Sequence, residues 1–363
     1  MTLRNDTREK GPTPAPMEGG GAYNRHSQVQ ASGLEPAVEW LVEAARRVAI
    51  PPSPAVPVVA DWGSSQGRNS MRPMRSALQA LRERAGADRA IVVAHTDLPG
   101  NDFAGLFRTL DHDPASYLRS DPSAFPVAVG RSFYGPTLPP RTVSLGWSSW
   151  AVQWLSRQPC EIPDQVQVAY SRNAEARAAY EAQAASDWRA FLDARALELL
   201  PGGGMVVLTM AIDDDGAFGY RELLDAMYDA LVEMSACGAI TPDELRHMAI
   251  PTVARSAKDV ARPFDQAGRC GDLRLRRTEV FLAADRIYDE FEASRDAQAF
   301  GRAWAAFSRA SVFPTLAGSL DASGDATRVA AFMDALETSL AERLAAAPVR
   351  MRIPLVRAEI DRV

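Results

Sequence analysis

Apolar residues along this chain fall into two alternating patterns: compact runs of about five, and stretches where they return at every third or fourth place. The compact run over residues 56–60 predicts a strand, and Leu34, Val38, Leu41, Val42 and Ala45 predict an amphipathic helix over 34–49, stopped by Pro51, Pro52, Pro54 and Pro57. A helix over 74–84 with Leu78 and Leu81 inward and a strand over 90–94 follow, giving a βαβ unit. Further runs at 126–129, 142–145, 166–169 and 205–209 alternate with helical stretches. The longest of these, 174–200, is expected to end at Pro201-Gly202-Gly203-Gly204. Such alternation predicts a mostly parallel sheet covered on both faces.

Between about Asp213 and Arg269 the compact runs vanish. Helical spacing persists at 221–236, 241–248 and 256–267, so an all-helical insertion is expected to cap a ligand site. The alternating stretches 273–282 and 349–358 complete the sheet, and 296–311 and 326–347 are helices that can also close over a ligand. The expected division is a core of residues 17–212 and 270–363 and a cap of 213–269 with parts of 295–347. Residues 1–16, polar with three prolines, are expected to form a disordered lead.

Composition narrows the function classes. With 363 residues and 47% hydrophobic content the chain can bury a large core. Its net charge of −6, with Arg interleaved among Asp and Glu, argues against a nucleic-acid partner. No apolar run is long enough for a membrane span. Small molecules are the expected partners. Lys10 and Lys258 are the only lysines, an Arg-rich bias that suggests a GC-rich, bacterial source. Cys160, Cys237 and Cys270 stand apart, offering neither a disulfide framework nor a zinc knuckle, which fits a reducing cytoplasm. His26, His95, His112 and His247 show no metal-ligand spacing, so no catalytic metal is expected.

Two strand ends carry acids. Val58-Val59-Ala60-Asp61 runs into Trp62-Gly63-Ser64-Ser65-Gln66-Gly67-Arg68-Asn69, a D-x-G-x-x-x-G turn whose glycines allow the backbone to approach a ligand. Asp61 could equally cap a helix. Asp97 ends the second strand before Leu98-Pro99-Gly100-Asn101-Asp102-Phe103, where a carboxylate can accept hydrogen bonds from both hydroxyls of a ribose. Trp147, Trp150 and Trp154, spaced by three and four, would share one face of a helix.

These segments, with Gly19-Gly20 through Tyr23 to Ser27 and Gln30, and with Ser132-Phe133-Tyr134-Gly135, resemble in order and spacing the SABATH methyltransferases, which methylate small acids or ring nitrogens from S-adenosylmethionine. The resemblance covers residues 17–360. It implies an α/β fold, a Rossmann-like class I methyltransferase sheet with an α-helical cap, and a homodimer. It assigns Tyr23, Ser27, Asp61, Gly63, Asn69, Asp97, Leu98, Ser132 and Phe133 to the cofactor. Gln30 and Trp154 would hold the substrate carboxylate, with Trp147, Trp150 and Leu224 in the acceptor pocket; Met210, Tyr220, Met227, Tyr228, Trp304 and Phe307 are further wall candidates. The chain departs from the family pattern at Trp62, Ser64, Gln66 and Arg68, has His26 where plant members carry Asn, and has Glu18 where salicylate-type members often carry Lys.

Gln30 and Trp154 suit an anion, because an amide N–H and an indole N–H donate without a labile proton. A carboxylic acid with a pKa of about 4 is already ionised at neutral pH. No general base is then needed. Positioning one oxygen roughly 3 to 3.5 Å from the sulfonium methyl, with water excluded, suffices. Three other readings remain open at this level. One is N-methylation of a heterocycle; another is a nicotinamide-dependent oxidoreductase, although G-x-G-x-x-G is absent after the first strand; the third is a catalytically silent cofactor-binding protein.

Overall fold

Eight strands form one sheet in the order β3-β2-β1-β4-β5-β8-β7-β6. The computed structural model describes residues 33–265, 267–322 and 325–363, together with Ala15, Met17–Gly19, Asn24 and Gln30. The expected disordered lead, apart from Ala15, and the cofactor candidates Tyr23 and Ser27 lie outside the described residues, as does His26.

β1 (Val58–Trp62), β2 (Ile91–Asp97), β3 (Ala124–Gly130), β4 (Val143–Ser149) and β5 (Leu199–Met210) run parallel, while β8 (Pro354–Arg362) pairs antiparallel with β5 and with β7 (Leu273–Leu282). The two-residue β6 (Arg269–Cys270) closes the far edge against β7. β4 is buried at six of its seven positions, as a strand covered on both faces must be. α1 (Glu35–Ala45), α2 (Arg68–Ala85), α3 (Phe103–His112) and α4 (Ala174–Glu198) supply the cover. This is the expected Rossmann-like α/β class with its sheet of mostly parallel strands.

Three expectations change. The Pro201-Gly202-Gly203-Gly204 run does not end a helix, since α4 already stops at Glu198 and β5 continues through the glycines. There the ladder to β4 slips, from Val143 opposite Leu199 to Leu145 opposite Gly204, so the run is an irregularity within a strand. Residues 166–169 form no strand: Gln167 Oε1 accepts from Ala169 N at 2.9 Å, so a side chain takes the place of a ladder and a 3-10 turn (Val168–Tyr170) results. The three tryptophans share no helix either. Trp147 lies within β4, Trp150 sits at φ 54 just beyond it, and Trp154 makes an isolated bridge to Thr252.

The insertion after β5 carries three helices, α5 (Arg221–Ala236), α6 (Pro242–His247) and α7 (Ala257–Ala261), joined by loops in which Thr252 and Arg255 make isolated β-bridges. α8 (Arg286–Ser294), α9 (Ala297–Ser311), α10 (Phe313–Ala317) and α11 (Ala326–Ala346) follow β7. Cap and sheet share a core, because Leu224, Leu231, Trp304 and Leu336 belong to the same buried cluster as Leu41, Val59 and Leu208. The helical insertion is thereby packed against the sheet.

Candidate active site

Parallel pairing sets Asp61 opposite His95 and Asp97 opposite Gly130, which brings both acids to one end of the sheet. Asp61 is buried and its Oδ2 lies 2.9 Å from His95 Nδ1; His95 Nε2 lies 3.1 Å from the Tyr117 hydroxyl, whose pKa burial pushes up. This chain of three was not foreseen. His95 stands in an apolar run, and its partner emerges only when β1 and β2 are paired in register.

Asp97 accepts from Ser65 N and from Leu98 N, each at 2.7 Å, leaving lone pairs on both oxygens. Burial pushes its pKa up to about 6, against the lowering effect of those two N–H groups. The loop holding Ser65 turns at Gly63, φ 87, where a Cβ would stand 2.3 Å from Ala151 Cβ. Only glycine lets the first loop meet the Trp150 loop so closely.

A cavity of about 220 Å³ is lined by Gly63, Ser65, Asp97, Leu98, Ser132 and Phe133. Asp61, Asn69 and Trp147 are not on its wall. Asp61 lies beneath, and Asn69 sits in the first turn of α2. A second cavity, of about 80 Å³, is lined by Gln30, Leu224, Met210, Tyr220, Met227 and Phe307 among others. Met17, Trp150 and Trp154 line both, so one wall two tryptophans wide separates them. Trp147, expected in the acceptor pocket, is fully buried in the sheet and lines neither cavity; Trp304 and Tyr228 are likewise off both walls.

The dividing wall is braced from several sides. Trp150 N donates to Leu208 O at 2.9 Å, and Gln153 Nε2 donates to Trp150 O at 2.7 Å. The Tyr134 hydroxyl donates to Trp154 O. Buried Arg255 donates to Val152 O at 2.6 Å, while Leu155 N donates to Pro251 O at 2.8 Å. A non-glycine residue at positive φ costs on the order of 1–3 kcal/mol, and this bracing holds Trp150 there.

The amino-terminal arm is fastened by the residues that depart from the family pattern. Gln66 Nε2 donates to Glu18 O at 2.6 Å and an Arg68 guanidinium N–H to Asn24 O at 2.6 Å. Glu18 N donates to Ala310 O at 3.1 Å, and the Glu18 carboxylate faces Arg309 at 3.4 Å. An acid at position 18 therefore has a cation in the cap to meet. Further in, the Gln30 carbonyl accepts from the Trp150 indole N–H at 3.0 Å, and buried Gln30 Oε1 has no partner among the described residues.

A family model described as SAM-dependent carboxyl methyltransferase matches residues 15–357. The chain belongs to that family. Among curated relatives, a protein described as a probable S-adenosylmethionine-dependent methyltransferase of Arabidopsis thaliana is 30% identical over 279 residues, covering 69% of this chain and 75% of its own. Indole-3-acetate O-methyltransferase 1 of the same plant is 27% identical over 280 residues, covering 69% and 72%. A methyltransferase of the fungus Gibberella fujikuroi is 27% identical over 255 residues, covering 69% and 67%. These relatives are plant and fungal, and they lend no support to a bacterial source. A solved loganic acid methyltransferase with S-adenosylhomocysteine has the same fold, with TM-score 0.75 at 22% identity over 96% of this chain and 98% of that one.

The carboxyl methyltransferase is an S-adenosylmethionine-dependent enzyme, and the first cavity fits that cofactor. Asp97 keeps acceptor capacity for ribose hydroxyls, Leu98 and Phe133 offer apolar faces, and the buried Ser65 hydroxyl has no partner among the described residues. Among those residues no group of three or more His, Cys, Asp or Glu is placed to hold a metal ion.

Proposed function

We propose that this carboxyl methyltransferase esterifies the carboxylate of a small apolar or aromatic acid. The observation that carries the reading is the shared wall: Trp150 and Trp154 line the nucleoside-sized cavity and the acceptor cavity at once, with Gln30 on the acceptor side. Bound S-adenosylmethionine supplies an electrophilic methyl group on a sulfonium, open to in-line displacement by a carboxylate oxygen.

Gln30 and Trp154 hold that carboxylate. The buried Gln30 Oε1 has no partner among the described residues, and the two ends of the amide exchange by a flip, so it can turn an N–H toward an anion. No acceptor is found for the Trp154 indole N–H among the described residues, whereas that of Trp150 is engaged by the Gln30 carbonyl. Trp154 is thus the indole free to donate. Gln153, also on this wall, is engaged at both ends of its amide, donating one N–H to Trp150 O and accepting from the Thr209 hydroxyl at 2.8 Å. Leu224, Met227, Met210 and Phe307 add apolar wall, beside the polar Gln167, Tyr220, Thr252, Ser308 and Ser311.

A cavity of about 80 Å³ is smaller than the ~150 Å³ of one that takes benzene. The acceptor is therefore compact, with room gained by movement of the flexible thioethers of Met17, Met210 and Met227. Indole-acetate-like and benzoate-like acids suit such walls; the name of the indole-3-acetate relative points the same way. The test is a panel of small acids and neutral ring heterocycles with labelled S-adenosylmethionine, with and without EDTA. Methyl esters from acids, insensitive to EDTA, are expected. Methylation of heterocycles with no acid accepted would replace this reading with N-methylation.

A further inference from the structure

A third cavity, of about 520 Å³, opens beside the acceptor site between α4, α7 and the 167–169 turn. Its volume lies in the range of ligand sites, roughly 300–1,000 Å³. Two of its lining residues, Gln167 and Phe218, also line the acceptor cavity, so the two spaces are one side chain apart. Its floor is apolar and aromatic, with Trp188, Tyr180 and Ala184 buried beneath. Arg177, Arg189, Arg255 and Arg262 line it against only Glu181 and Asp259. Arg262 pairs with Asp259 at 2.6 Å and Arg189 with Asp193 at 2.9 Å, and buried Arg255 is engaged by Val152 O and Ala184 O, which leaves Arg177 as the lining cation with no carboxylate partner among the described residues.

Phe218 is the partition that can move. It follows Gly216 at φ 80, which has open space around it, and precedes Gly219 at φ 83, which is packed against Arg352 O, so a backbone swing would be absorbed at Gly216. In the present position it packs edge to face on Tyr170, with ring centroids 6.1 Å apart, and the Tyr170 hydroxyl donates to Gly219 O at 2.6 Å. Gln167 is held on the other side by its bonds to Thr252 O at 2.9 Å and Thr252 Oγ1 at 2.7 Å.

We propose that this cavity is the vestibule through which the acid reaches the acceptor site, passing the Phe218 partition. The inference rests on the carboxylate reading above. An apolar floor with the unpaired Arg177 guanidinium at its edge suits an amphipathic organic anion better than the sulfonium cofactor, so acid and cofactor approach from different sides.

The experiment uses an acid that the wild type has already been shown to esterify, so a negative result counts against the route and leaves the esterification standing. Binding of that acid to the full-length protein saturated with S-adenosylhomocysteine is followed by stopped-flow tryptophan fluorescence. In Ala185→Trp, which obstructs the vestibule from an exposed position, association and dissociation should both slow by about tenfold or more at unchanged Kd, because an obstructed path leaves the end states alone. In the double variant Arg177→Glu/Arg262→Glu, association should fall by about tenfold at low salt and lose its salt dependence. Rates unchanged in both variants would overturn the proposal. So would a weakened Kd at wild-type association rate, which would make these residues part of the final site.

Discussion

The Trp150 indole donates its single N–H to the main-chain carbonyl of Gln30 at 3.0 Å, tying the wall between two cavities to the residue we propose to face the acid. Trp150→Phe leaves that carbonyl buried without a partner, a cost of about 1–3 kcal/mol. The arm should then settle less well over the acceptor. The expected result is a fall of about tenfold in kcat/KM for the acid with the protein still folded; an unchanged kcat/KM would show that the bond does not position Gln30.

Asp97 should give a pH signature of opposite sign for stability and for binding. Its folded pKa, about 6, lies above the ordinary aspartate value of 3.8, so the native state binds the extra proton between those values. Stability of the free protein is therefore greatest below about 4 with respect to this group and declines as pH rises through about 6. Cofactor affinity should rise over the same window, since only the carboxylate accepts from both ribose hydroxyls. Asp97→Asn should abolish both trends, and Asp97→Ala should weaken S-adenosylmethionine by about 2–4 kcal/mol. Titration calorimetry across pH 4–7 measures the binding arm, and a flat profile in the wild type would exclude Asp97 from the ribose site.

Gln30→Ala and Trp154→Phe should each lower activity on a carboxylic acid by at least about tenfold, one bond to a charged partner being worth about 1.5–3 kcal/mol. Cofactor affinity should change little in the Gln30 variant. If both residues orient one carboxylate, the double variant loses less than the sum of the single losses. Strict additivity in a double-mutant cycle would separate them.

His95 and Asp61 are both buried, and neither lines the cofactor cavity. Removing the imidazole leaves the buried Asp61 carboxylate without that hydrogen bond, a cost of about 1.5–3 kcal/mol. His95→Ala should shift the urea midpoint accordingly and weaken the cofactor. A midpoint within about 1 kcal/mol of wild type would mean that Asp61 is held by other groups.

Where function depended on local chemistry, the chain could be read directly. Asp97 follows an apolar run and precedes a turn, so its place at a strand end needed no tertiary information, and α5 and β7 follow the bounds their periodicity predicts. The tryptophans show the limit. Spacings of three and four match a helix, yet Trp147 is held in β4 by its neighbours and Trp150 turns the chain at positive φ, and neither cause is visible in the spacing. Gln30 and Trp154 line one cavity, a juxtaposition that only the family resemblance anticipated. Asp61 with His95 needed the register between two strands, and the misread 166–169 stretch needed the reach of one glutamine side chain.

A wall with two faces cannot be altered on one face alone. Because Trp150 and Trp154 border both cavities, substitutions there that broaden the range of acids will also disturb the affinity for the methyl donor, and selection for a new acceptor would meet that conflict at once. Leu224, Met227 and Phe307 border only the acceptor side. Divergence of acid preference among relatives, and any deliberate retuning of it, should therefore concentrate in the helical cap while the tryptophan loop stays the same.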